Sequence, residues 1–234
     1  MKIEVWSDYV CPFCYIGKRQ LEMAIKDTGY GDQIEVEYKS FLLDPTTPLD
    51  AKDSVYSSLA RKYNISVEQA KNMTKGVAER AKEVGLEYDF DIMKEANTVA
   101  AHRLAKWAAT KQNGAEFSER VLKAYFLEGK AIGQHDILLS LVDELGLDKT
   151  EAQQVLNSNQ FAEDIERDIY DAQQIGVRGV PFFVFNNKYG ISGAQPQKLF
   201  EQTIEKAASE AGLKPKLKMV GDQGDSCSDG QCNL

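Results

Sequence analysis

Two cysteines stand three positions apart in the run Val5-Trp6-Ser7-Asp8-Tyr9-Val10-Cys11-Pro12-Phe13-Cys14-Tyr15-Ile16-Gly17. Thiols at this spacing can share a metal, sit inert in a core, or interconvert between dithiol and disulfide. Beside a strand–helix–strand pattern, and without other ligands at metal spacing next to them, they read as a redox pair, with a zinc knuckle and inert core cysteines as the competing readings. The nucleophile of such a pair must be an exposed thiolate that is also a modest leaving group. Cys11 precedes a helical pattern, so as its N-cap it faces unpaired backbone N–H groups and the positive end of the helix dipole. Pro12 falls at the first helical position, where its missing N–H costs nothing. Cys14 lies in the first turn, on the same face, expected buried and able to close a disulfide with Cys11. Cys11 is therefore the expected attacking thiol and Cys14 the resolving one, and oxidation of a dithiol runs the same steps in reverse. Ser7, Asp8 and Tyr9 line the preceding loop. Asp8 could take part in proton transfer, but its charge would raise the Cys11 pKa if close.

The elements that position these residues follow from periodicity. Lys2-Ile3-Glu4-Val5-Trp6 alternates as a strand, 15–27 has helical period, and 34–41 alternates again. This is a βαβ unit, which makes the two strands parallel and the crossover right-handed. Two prolines in Asp44-Pro45-Thr46-Thr47-Pro48 break the pattern. From about 51 to 174 the period is helical almost throughout. Ser66 to Gln69 reads as a capping box with Gly85 past the helix end. A helix is expected from Asp91 to Gln112, stopping at Gly114, and another from Ala115, stopping at Gly129. Asp136 and Asp148 look like N-caps, and a helix over Phe161–Gln174 ends at Gly176. The pattern then returns to β over 180–185 and 188–192, with Asn186-Asn187 suited to a tight antiparallel turn. A helix over 197–211 closes the order β-α-β, helical insert, β-β-α. The expected fold class is α/β with a mixed sheet: a thioredoxin-type fold carrying a large all-helical insertion. The expected division is 1–48 with 176–212 as the thioredoxin-like part, 49–175 as the insert, and 213–234 as a tail. His102 sits mid-helix, where a structural role, a place facing the cleft and a contact between insert and core are the options. Trp107 and Leu104, three apart, read as core.

The Cys-Pro-Phe-Cys helix start resembles the DsbA branch of the thioredoxin superfamily. Residues 2 to about 206 resemble more closely its FrnE-like cytoplasmic members. The matching segments are 6–17, Asn-Thr-Val-Ala-Ala-His-Arg-Leu at 97–104, Gly-Val-Arg-Gly-Val-Pro-Phe-Phe-Val-Phe at 176–185 and Tyr-Gly-Ile-Ser-Gly-Ala-Gln-Pro at 189–196. The resemblance implies that the insert covers the active edge. It also implies a cis Pro181 across from the two cysteines, with Val180 offering its backbone to an extended substrate segment. Strongly oxidising relatives carry a histidine in the dipeptide; Phe13 stands there instead, so a moderate depression of the Cys11 pKa and a potential nearer thioredoxin's are expected. The tail is rich in Gly, Asp and Ser, a composition of disorder. It carries Cys227 and Cys232, a Cys-x4-Cys pair that some FrnE-like proteins share, so a redox relay to Cys11 and Cys14 is expected from the resemblance. A local disulfide or a metal-responsive clip, and a passive tail, are the alternatives.

Composition sets the outer limits. A net charge of -8 over 234 residues argues against nonspecific binding to nucleic acid or an anionic membrane. No apolar run approaches the roughly 18–20 residues that span a bilayer. The chain enters a strand at once, without a cleavable apolar segment, which points to a cytoplasmic protein. Four cysteines are too few for a disulfide scaffold. The expected activity is protein thiol–disulfide exchange, with an isomerase activity within its range. Its expected partners are protein thiols or disulfides and, as redox partner, glutathione or a thioredoxin-type reductant, with no bound cofactor or metal. The alternative is a glutathione-dependent small-molecule enzyme resembling kappa-class transferases and 2-hydroxychromene-2-carboxylate isomerases, which have a serine where this chain has Cys11. A binding or chaperone module is a third option.

Overall fold

Alternating side chains make the first strand, β1 (Lys2–Ser7), the hydrophobic spine of the sheet, with Ile3, Val5 and Trp6 buried. The structure is a computed structural model that describes residues 1–216 and the backbone of 226–228 and 231–233. After β1 come α1 (Pro12–Thr28), β2 (Glu35–Ser40), α2 (Val55–Tyr63), α3 (Val67–Lys82), α4 (Val99–Thr110), α5 (Gly114–Phe126), α6 (His135–Glu144), α7 (Lys149–Leu156) and α8 (Ala162–Gln174). Then follow β3 (Phe182–Phe185), β4 (Tyr189–Ser192) and α9 (Gln197–Glu210). The sheet order is β2-β1-β3-β4. β1 runs parallel to β2, with Val5 opposite Tyr38, and antiparallel to β3, with Val5 opposite Phe183. Asn186 and Asn187, both at positive φ, turn β3 into β4.

α1 and α9 bury Leu21, Ala24, Phe200 and Ile204 against Ile3, Val5, Phe183 and Phe185 on one face of the sheet. On the other, Trp6 and Val177 pack with Ala172 of α8. The larger apolar cluster runs across the join between sheet and insert: Tyr9, Tyr15 and Ile16 pack with Leu104, Phe117, Phe126 and Leu138. A polar clasp reinforces the join. Tyr15 donates to Glu119 Oε1 at 2.6 Å, Lys18 reaches Glu119 Oε2 at 2.5 Å, and Arg19 pairs with the same carboxylate.

Several helix ends differ from expectation. The Ser66–Gln69 capping box is present, and Asp148 caps α7 by accepting from Thr150 and Glu151 N–H groups. The helix expected from Asp91 begins only at Val99. The backbone before it is committed elsewhere: Glu95 N donates to Asp53 O, Val55 N donates to Met93 O, and Ser54 bridges Lys94. Asn97 completes this by donating to Pro45 O and Thr47 O while accepting from Val99 N. Gln134, not Asp136, is the N-cap of α6, and Gly114 opens α5 rather than only ending the helix before it. Near the end of the chain, Lys216 N donates to Gly29 O at the far end of α1. β5 (Ser226–Ser228) and β6 (Gln231–Asn233) then form a two-stranded ladder in which Cys227 lies opposite Cys232. The side chains of both cysteines lie outside the described residues.

Candidate active site

The loop after β1 turns back on itself, Cys11 N donating to Asp8 O at 3.2 Å, and α1 starts at once. Cys11 is its N-cap with extended backbone, and Pro12 opens the first turn. Cys14 N closes that turn on Cys11 O at 3.0 Å. Both thiols are free. The Val180–Pro181 peptide bond is cis, and Cys11 Sγ points at Val180 O, 3.5 Å away. Gly17 lets these parts meet: a Cβ there would stand 2.9 Å from the Phe183 ring and 3.2 Å from Pro181 Cγ, so α1 lies directly on the Pro181 loop.

The thiols divide their roles by environment. The Cys11 pKa is lowered, first by a hydrogen bond from the Cys14 side chain, with the Cys14 and Phe13 backbone N–H groups adding to it; burial and the Asp8 charge oppose this. Burial pushes the Cys14 pKa well up, and the neighbouring Cys11 sulfur adds to the rise. Cys11 is therefore the first to ionise. The leading cause is the second cysteine, which the dipole argument from sequence had left out.

Exposure differs from expectation. Cys11 is only 6 % exposed and Cys14 3 %. Cys11 does not face open solvent but lines a cavity of about 430 Å³ that α2 and α3 close over it.

Around the pair lie groups that the sequence pointed to and others it did not. Asp8, 1 % exposed, accepts from Leu43 N through Oδ2 at 2.8 Å, and its Oδ1 is 3.3 Å from His102 Nε2. His102 is also buried, with its ring 4.6 Å from that of Tyr9, whose hydroxyl meets Ser118 Oγ at 2.9 Å. It thus joins the insert to the loop before Cys11. Burial pushes the Tyr9 pKa up, so this phenol stays protonated. Sequence reasoning missed Arg80. Its guanidinium lies 5.2 Å from the Phe13 ring centroid and donates to Ala194 O at 2.8 Å, tying α3 to the loop after β4. It also missed Tyr88, which donates to Pro12 O at 2.8 Å. Neither has a local motif; each is a single residue brought in by the insert. Among the described residues no three His, Cys, Asp or Glu side chains gather in a set that could hold a metal ion. No helix among them is long and apolar enough to cross a membrane.

Comparison with known proteins follows the same lines. A probable DsbA oxidoreductase of Streptomyces coelicolor is 31 % identical, with a TM-score of 0.85 over 100 % of this chain and 99 % of its own. The uncharacterised protein YwbO of Bacillus subtilis is 32 % identical over 205 residues, 86 % of this chain and 94 % of YwbO. Two more distant structures share the fold. A 2-hydroxychromene-2-carboxylate isomerase has a TM-score of 0.67 at 16 % identity, covering 92 % of this chain and 100 % of its own. The cytosolic disulfide reductase DsbM of Pseudomonas aeruginosa with GSH has 0.64 at 18 %, covering 89 % and 100 %. The DSBA-like thioredoxin domain matches residues 2–205, and the chain belongs to that family.

Proposed function

We propose that this protein is a cytoplasmic thiol–disulfide oxidoreductase in which Cys11 attacks and Cys14 resolves. The observation that carries the reading is the division between the two sulfurs: one thiol lowered and opposite Val180, the other held protonated three residues on. In the reductive direction the Cys11 thiolate attacks one sulfur of a substrate disulfide, that S–S bond breaks, and the other substrate sulfur leaves as a thiolate. Cys14 then loses its proton, which the departing thiolate can take, and attacks Cys11 Sγ. The second substrate sulfur departs, leaving the substrate reduced by two electrons and Cys11–Cys14 oxidised. Glutathione or a thioredoxin-type dithiol restores the pair, and an oxidising partner runs the same steps backwards. Asp8, Pro12 and Phe13 shape the loop and helix start. Val180 and Pro181 form the platform against which an extended substrate lies. Cys227 and Cys232 are part of this proposal as a second pair that exchanges with the first. About 25 Å separates the two ends of α1, since each of its residues rises about 1.5 Å. The eleven steps from Lys216, held at the far end, span up to about 36 Å.

Reduction of insulin disulfides by dithiothreitol tests the reading. The expected result is acceleration by the protein, its loss in Cys11→Ser, and a trapped mixed disulfide in Cys14→Ser. No acceleration, together with tight glutathione binding, would favour the glutathione-dependent isomerase or transferase reading, which here rests on likeness of fold. Unchanged turnover in Cys227→Ser/Cys232→Ser would end the relay.

A further inference from the structure

In the segment 97–104, Asn97 secures the chain before α4 and His102 meets Asp8, which leaves Arg103 without a part in either. Successive helical residues turn by about 100°, so Arg103 leaves α4 in a different direction from His102. Its guanidinium goes to the end of α7, where Nε donates to Gln160 O at 2.8 Å and Nη2 to Val155 O and Ser158 O. These acceptors are neutral carbonyls. Among the described residues no carboxylate pairs with Arg103, no acidic group offsets the burial that lowers its pKa, and Nη1 has no acceptor.

Arg103 borders a second cavity, of about 550 Å³, between the starts of α4 and α6 and the end of α7. This cavity shares no residue with the one at Cys11. His135 borders it from α6, and neither that ring nor the Asn159 amide makes a hydrogen bond among the described residues. Leu49, Val99 and Leu156 supply an apolar wall, with Leu49 53 % exposed. The lining includes no Asp, Glu or Lys, in a chain whose acidic side chains outnumber the basic ones 36 to 28. A clasp on the end of α7 needs only Nε and Nη2. It accounts neither for the idle donors nor for the want of an acid.

A cavity with a cation and no countercharge favours an anion, and the donor set says which. One free guanidinium nitrogen beside one imidazole offers a donor apiece to two oxygens, which suits a carboxylate. A phosphate dianion would bring more oxygens and a second charge to the same few donors. An amino acid would leave its ammonium without a partner. We propose that this cavity is a second binding site, for a small organic monocarboxylate with an aliphatic or aromatic body. Arg103 Nη1 and His135 hold the carboxylate, Asn159 lies at its side, and Leu49, Val99 and Leu156 cover the body. Cys11 takes no part, so the site does not rest on the redox reading.

The test titrates the full-length, ¹⁵N-labelled protein with hexanoate, and separately with hexanol, hexylamine, acetate and inorganic phosphate. Hexanoate is expected to give saturable amide shifts gathered at 99–103, 135 and 156–160. It should bind at least about tenfold more tightly than hexanol, hexylamine or acetate, with phosphate no tighter than acetate. Leu49→Asp, which sets a like charge at the exposed lip, and His135→Ala are each expected to weaken hexanoate by several-fold. Arg103→Gln should abolish its binding; because that change also loosens the end of α7, the two other variants carry the decision. Hexanol as tight as hexanoate would reduce the cavity to an apolar hole, and phosphate as tight would reduce it to a nonspecific anion contact. Shifts gathered instead at residues 10–13 would place the acid in the other cavity. Each of these results overturns the proposal, as does the lack of any saturable shift with millimolar hexanoate.

Discussion

Cys14 acts on Cys11 before any chemistry begins, because its S–H is the leading cause of the lowered Cys11 pKa. Cys14→Ala removes that donor and is expected to raise the Cys11 pKa, while Cys14→Ser keeps a hydroxyl donor and raises it less. Asp8 acts with the opposite sign, so Asp8→Asn is expected to lower the Cys11 pKa further, shifting the alkylation-rate profile to lower pH. Thiolate absorbance during titration reads both. Equal values for Cys14→Ala and the parent would return the effect to the helix terminus alone. At this scale the sequence revealed a good deal. The cysteine pair, the proline at the first helical position and Val180–Pro181 could all be named from local pattern and resemblance. The burial of Cys11, the Asp8–His102 contact and Arg80 could not, since each depends on residues tens of positions away whose approach is decided by packing of the insert.

At the level of elements, most were readable because their signals are local: alternation in β1, the capping box of α3, Asp148 before α7, the Asn186-Asn187 turn. The start of α4 was not. Residues 91–98 have ordinary helix formers, but Met93 O and Glu95 N pair with the backbone of Val55 and Asp53, and tertiary hydrogen bonds outweigh a weak propensity. Asn97 holds this arrangement through three bonds. Asn97→Ala is expected to cost about 1.5–4.5 kcal/mol at roughly 0.5–1.5 kcal/mol per bond. Denaturant unfolding measures that cost, and hydrogen exchange should show protection lost over 45–55. The clasp on α5 gives a second test. Burial raises the Glu119 pKa, but hydrogen bonds from Lys18, Tyr15 and Arg19 outweigh it, and the net shift is downward. A carboxylate depressed on folding contributes stability above its unfolded pKa and loses it as pH falls through the folded one. Glu119→Gln is therefore expected to destabilise by about 1–3 kcal/mol at neutral pH, where buried Lys18 loses one of its two carboxylate partners and keeps Glu22. The difference should shrink under acid conditions below the ordinary carboxylate range.

Across the whole molecule, helices supplied by the insert close a cavity over Cys11 at the edge of a thioredoxin-like sheet. The larger apolar cluster is shared between the two, with Tyr15 and Ile16 of α1 packed among insert side chains. We propose that 49–175 is nonetheless a distinct inserted unit, attached where the chain leaves the sheet after β2 and returns before β3. What composition could not convey was this enclosure: α2 and α3 read as helices, but nothing local says which face of the sheet they cover. The central claim is that one sulfur of the pair ionises first and is reachable through the cavity while the other is not. A brief iodoacetamide pulse on the reduced protein at neutral pH, followed by mass mapping of the peptide spanning residues 11–14, measures this most directly. The account predicts a single carboxamidomethyl group on Cys11 with Cys14 unmodified; labelling of Cys14 first, or of neither within the time needed to label an unstructured thiol, would contradict it.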